Sequence, residues 1–149
     1  MTVQKRWDLQ KALVEQLNGV LAGQAIPPDD PNEPAGDVPV ETDVTDVAHP
    51  LFVRLDGFGV LQGGGGAGHI DRHTFMAHVF CVDPSSSDIL VDGAQEVARI
   101  QALVVCALEG WEPLDGASGI EHISSNDAPD EDPATYHGVC RFKVMIQGG

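Results

Sequence analysis

Residues 87–111, SDILVDGAQEVARIQALVVCALEGW, constrain this chain more than any other stretch. The spacing predicts one long helix. Leu90, Ala94, Val97, Ile100, Val104 and Leu108 recur at helical intervals, and Asp92, Gln95, Glu96 and Arg99 take the other side. Glu96 and Arg99 stand one turn apart and can pair. Ser87 or Asp88 is the expected amino-terminal cap, because each offers a side-chain oxygen to an orphan backbone N–H. Gly110 sits where a left-handed closing residue belongs, and Trp111 can fold back on Val105 or Cys106. From Ala102 to Leu108 the pattern has no polar side, and a helix apolar all round must be covered all round. One side can lie on the chain's own sheet. The other needs a second helix or another copy of the protein.

The remaining segments supply a helix, strands and loops to pack against it. Leu9, Leu13, Leu17, Val20 and Leu21 form a stripe across residues 3–21, predicting a first helix with Thr2 as a cap and Gly23 just past its end. Residues 26–38 hold four prolines and four acids in thirteen positions and read as a flexible polar loop. Pro39 marks a short edge strand near 40–44. A better strand spans 49–56, with Leu51, Val53 and Leu55 on one face, and Phe58 and Val60 extend it past a kink at Gly57. Residues 70–82 form a long strand. Phe75, Ala77, Val79 and Cys81 share one face and Thr74, Met76, His78 and Phe80 the other, so both faces are apolar and the strand is central. Residues 112–117 read as a polar turn, 119–125 as a short strand and 126–133 as an acidic turn. In the closing strand, 136–147, Cys140, Phe142, Val144 and Ile146 oppose Val139, Arg141, Lys143 and Met145. Hairpins across 63–68 and 126–133 give a mainly antiparallel sheet of four to five strands with two helices on one face. This is an α+β fold, and a chain of 149 residues is most simply one domain.

Charge excludes one class of function. The chain carries 23 acids against 8 bases, a net charge of −15. No base lies between Lys11 and Arg54 or between Arg99 and Arg141. Such a surface repels a phosphate backbone, so specific nucleic-acid binding is not expected. No apolar run is long enough to span a bilayer, and the amino terminus has no apolar signal core, so a cytoplasmic site of synthesis is expected. Cys81, Cys106 and Cys140 form no C-x-x-C pair and sit in apolar runs, so buried free thiols are expected.

The candidate chemical sites are weak. Gly63, Gly65 and Gly68 spell G-x-G-x-x-G, but residues 69–75 read as strand, whereas a dinucleotide site needs a helix amino end there. His69 and His73 stand roughly 13 Å apart along a strand, too far for one zinc. His73 and His78 fall on opposite faces. His122 and His137 are available only to a long-range site. Asp127, Asp130, Glu131 and Asp132 lack the alternating spacing of an efficient calcium loop. No catalytic, cofactor or metal constellation emerges.

The pattern as a whole resembles the tail-terminator (tail-completion) proteins of long-tailed phages and gene transfer agents. The pieces that carry the resemblance are the leading helix QKALVEQLNGVLAG, the strand HPLFVRLDGF, the long strand HTFMAHVFCVD, the segment SSSDILVDGAQEVARIQALVVCALEG and the closing strand YHGVCRFKVMI. The acidic insert at 26–37 and Cys81 after Phe80 depart from that pattern. The resemblance implies a structural protein of the virion tail, with no enzymatic activity and no cofactor. It would form a homohexameric ring that caps the tail tube protein, ends polymerisation and meets the head–tail connector protein, with DNA passing through the ring and no membrane contact. Leu103, Val105, Cys106, Arg141 and Lys143 are the residues expected at the subunit interface. A head–tail connector or neck protein is the near alternative. A small α+β ligand-binding or enzymatic domain is the distant one.

Overall fold

The computed structural model describes residues 2–26, 30, 32–42, 50–63, 69–82, 92–128 and 134–148. Its elements in chain order are α1 (Thr2–Val20), β1 (Val40–Glu41), β2 (Leu51–Leu61), β3 (Ile70–Val82), α2 (Gly93–Leu108), β4 (Glu121–Ala128) and β5 (Thr135–Gln147). The five strands form one sheet in the order β1-β2-β3-β5-β4. These strands pair antiparallel except β1 with β2. The α+β class and the central place of the long strand are as the sequence implied.

Alternation sets what each sheet face carries. On β3, Phe75, Ala77, Val79 and Cys81 are buried, and on β5, Cys140, Phe142, Val144 and Ile146. These meet Val97, Ile100, Val104 and Leu108 of α2 and Leu9, Leu13 and Leu17 of α1 in a single cluster. Burying each leucine contributes about 2 kcal/mol. The Glu96–Arg99 ion pair, 2.6 Å and partly exposed, contributes at most about 1 kcal/mol. Packing therefore outweighs the pair, whose structural use is tethering. Arg99 also donates to the Gln24 carbonyl at 2.8 Å and its side-chain oxygen at 3.1 Å, tying α2 to the chain just past α1.

Helix α2 starts later than the sequence implied. Asp92, in extended conformation, is its cap and accepts from the N–H groups of Ala94 and Gln95. Ser87, Asp88 and Leu90 lie outside the described residues. Ala94 is exposed, and Gly93 takes the buried position in its place. At the other end Gly110 has φ +80, as a left-handed closing residue should. Half-buried Trp111 packs on the core. Close approach of α2 to the sheet depends on Gly138, where a Cβ would stand 2.4 Å from the Gln101 side chain and 2.8 Å from Val97.

Other expectations shift in detail. The base of the acidic loop does pack: Val38 is buried, and Ala25 N–H donates to the Gly36 carbonyl and Val38 N–H to that of Leu21. Strand β1 is only two residues long, and positions 43–44 lie outside the described residues. Gly57 kinks β2 as expected, with φ +67 and a register shift between Asp56 and Gly59. The last described strand pair runs further than expected. β4 continues through Asn126 and Asp127 to Ala128, because Val139, Gly138 and His137 of β5 pair with them. Residues 112–117 are pinned to the sheet, with Ser118 N–H on the Met145 carbonyl and Gln147 N–H on that of Gly116. The Gly-rich turn at 64–68 and the acidic residues 129–133 fall outside the described residues.

The inward row of β3 also buries two polar side chains, Asp71 and His73, each 1% exposed. Asp71 accepts from the Gly63 N–H at 3.3 Å and lies 3.4 Å from His69. Among the described residues neither ring nitrogen of His73 has a hydrogen-bond partner. Burial lowers its pKa from 6.5, Asp71 opposes the shift, and Arg6 adds to it. A depressed folded-state pKa means stability present above pH 6.5 and lost as pH falls below it, by up to about 1.4 kcal/mol per pH unit. His73→Leu removes two unsatisfied buried polar atoms at similar volume. It should raise the unfolding free energy at pH 7 by about 1–3 kcal/mol and flatten the loss between pH 7 and 5, as read by urea unfolding. An equal pH slope in the variant would refute this role. Gly138→Ala should cost about 1–3 kcal/mol by overpacking the α2 contact, measured in the same way.

Candidate interaction surface

Both helices lie on one side of the sheet, so the opposite face is where a partner can be met. It is not an ordinary solvated face. The same alternation that sends Phe75 and Phe142 inward sends Phe52, Arg54 and Asp56 of β2, Met76, His78 and Phe80 of β3, and His137, Arg141 and Lys143 of β5 outward. At one end Leu61, Arg72 and Met145 form a row across three strands beside Ile70. Leu61, Ile70 and Met145 are 59%, 51% and 38% exposed, half of the six large exposed hydrophobic side chains among the described residues. Arg54, Arg72, Arg141 and Lys143 are half of the chain's eight bases. An apolar and basic face on an acidic protein is the candidate surface for contact with a partner.

The other end of this face is a stack of rings. Phe52 and Phe80 stack at 4.9 Å between centroids, and Phe80 and His137 at 4.2 Å. The Arg54 guanidinium carbon lies 5.7 Å from the Phe52 centroid and 5.2 Å from that of Phe80, within cation–π range. Asp56, His78 and His137 form a chain: His78 Nε2 to Asp56 Oδ1 at 2.7 Å, and His78 Nδ1 to His137 Nε2 at 2.7 Å. The carboxylate favours a proton on His78 Nε2, and one further proton serves the contact between the two imidazoles. The chain fixes the rings on which Arg54 rests.

The five residues expected at a subunit interface fall on two opposite sides. Leu103 and Val105 of α2 are half-buried against the core, and Cys106 is exposed beside them. Arg141 and Lys143 lie on the helix-free face. There Arg141 donates to Asn126 Oδ1 at 2.8 Å, and Lys143 lies 3.4 Å from Glu121, both across to β4. The apolar end of α2 is thus covered by the sheet on one side and packs against α1 on another, leaving Ala102 and Cys106 to solvent. Cys106 corrects the expectation of three buried thiols. Cys81 and Cys140 are buried, and burial raises both thiols, Cys81 to about 11.

The structure adds one pairing that sequence spacing did not suggest. His122 Nε2 lies 2.7 Å from Ser125 Oγ, whose hydroxyl donates to Cys140 Sγ at 3.2 Å. A bulge between His122 and Ser124 turns both side chains to the same side. With its proton given to Cys140, Ser125 Oγ accepts from His122 Nε2 rather than being activated by it, and among the described residues no carboxylate orients the imidazole as a nucleophile's base requires. Among the described residues no three His, Cys, Asp or Glu side chains converge on a metal position, and no helix is long and apolar enough to cross a membrane. Ile70 opens a strand directly after the glycines, so no helix amino end faces them.

The class so defined is a two-layer α+β domain with one covered and one helix-free sheet face. No family model matches the sequence, and no curated protein is similar to it. Among solved structures the fold is similar to a chain of the virion of a native gene transfer agent particle. The TM-score is 0.60 at 18% identity, over 73% of this chain and 78% of that one.

Thiol reactivity tests the surface assignment. Cys106 should react with a disulfide reagent in the native protein at neutral pH. Cys81 and Cys140 should react about a hundredfold slower or only on denaturation. Three equally fast thiols would contradict the packing of α2 on β3 and β5.

Proposed function

We propose that this protein is a structural component of a phage or gene transfer agent virion, and within it the tail terminator. A homohexameric ring of the chain sits on the last ring of the tail tube, stops polymerisation, and presents the surface that joins the head connector. The observation that carries this reading is the fold shared with a gene transfer agent virion chain over most of both chains. The helix-free face, apolar and basic on a chain of net charge −15, supports it as a surface for protein contacts. A cyclic ring uses heterologous contacts, in which two different patches of each subunit meet. The apolar end of α2 with Leu103, Val105 and Cys106, and the opposite face with Arg141 and Lys143, are two such patches. The acidic remainder would not retain DNA moving through the lumen.

A head–tail connector or neck protein of the same virion is the second reading, and the shared virion fold favours it over a small ligand-binding or enzymatic domain. Polymerisation of the cognate tube protein separates the two. Added in slight excess over tube ends, the chain should stop elongation and appear as a ring at the ends in negative-stain micrographs. Unchanged tube lengths and bare ends would reject the terminator.

A further inference from the structure

Among the described residues, Arg54 is a cation without an anion. Its Nε is buried with no hydrogen-bond partner, and its guanidinium rests on the Phe52 and Phe80 rings. The guanidinium carbon lies within cation–π range of both rings, and its planar fork of donors suits a carboxylate. Asp56, two residues along the strand, is engaged by His78 instead. On the helix side, among the described residues, the complementary group has no ion-pair partner either. The last turn of α2 contains no base, and Glu109, Glu112 and Asp115 come after it. The negative end of a helix dipole and three exposed carboxylates therefore follow exposed Cys106 in the chain.

We infer that Arg54 on its Phe52–Phe80 platform is the docking site for a carboxylate from the α2 carboxyl end of a second copy of this chain. The assignment rests on the ring reading and fixes the polarity of its contact. Face-to-face pairing of two helix-free surfaces would bring the basic set Arg54, Arg72, Arg141 and Lys143 of one copy against the same basic face of the other, and like charges there oppose a two-fold dimer. Basic sheet face against acidic helix end is head to tail, the arrangement that closes into rings.

Sedimentation of the full chain across concentration and salt tests this with four proteins: wild type, Arg54→Gln, the triple variant Glu109→Gln/Glu112→Gln/Asp115→Asn, and all four changes together. Lys11→Gln, an exposed base on the helix side, serves as the charge control. Among the described residues the Arg54 Nε has no hydrogen bond to lose, so its variant should forfeit only the cation–π contact with Phe52 and Phe80 and melt within a few degrees of wild type. Wild type should assemble, more weakly as salt rises. Arg54→Gln and the acidic variant should each need at least about tenfold more protein to assemble, with little further loss when combined, because each removes one side of the same contact. Lys11→Gln should match wild type. Arg54→Gln assembling at wild-type concentrations, or losses that simply add, would overturn this contact and leave the ring reading intact. A wild type that stays monomeric at every concentration would overturn both.

Discussion

The pairing of β3 with β5 is the constraint on which the rest of the structure depends. Every residue from Ile70 to Val82 has a partner between Gln147 and Thr135, in unbroken register. A slip of β5 by one residue would turn Cys140, Phe142, Val144 and Ile146 out of the core and bring Val139, Arg141, Lys143 and Met145 into it. The register therefore decides at once what the helices cover and what the opposite face offers. The Phe58–Phe75–Phe142 stack locks the inner side, with centroids 5.7 and 5.3 Å apart. Gly138 leaves the room that lets α2 settle on the outcome. The cost of an error in either place is a lost core, so the face that remains is set with the same stringency although nothing in the chain's own helices touches it.

Much of this is legible in the sequence because it rests on periodicity. The leucine stripe of α1, the two-faced character of β3, the inward set of β5, the kink at Gly57 and the closing role of Gly110 are all local patterns with local causes. What sequence reading misses needs partners distant in the chain. Asp92 displaces Ser87 and Asp88 as the helix cap because its backbone is already extended where Gly93 begins the helix. The strand β4 runs past Ser125 into polar residues because β5 supplies hydrogen bonds that no propensity anticipates. Asp71 and His73 could have been found by carrying the alternation of Phe75 and Ala77 two steps back; their polarity argued against it. The ring stack and the Asp56–His78–His137 chain join three strands, and no spacing rule brings those positions together.

The interface residues show the same division. Leu103, Val105 and Cys106 stand out because a helix without a polar side asks for cover. Helix α1 and the sheet answer part of that request, which leaves Cys106 and Ala102 outside. Arg141 and Lys143 stand out as rare bases, but their company on the surface, with Arg54, Arg72, Leu61, Ile70 and Met145, emerges only from the sheet order β2-β3-β5. This strongly acidic chain gathers half of its bases on one face with half of the large exposed apolar side chains among its described residues.

Cryo-electron microscopy of the intact particle, at a resolution that traces side chains, is the most direct test. The expected result is this chain as a closed ring at the head-proximal end of the tail tube, with the helix-free sheet face of each copy covered by protein. A particle in which that face is open to solvent in every copy, or in which the chain is absent from the end of the tube, would contradict it.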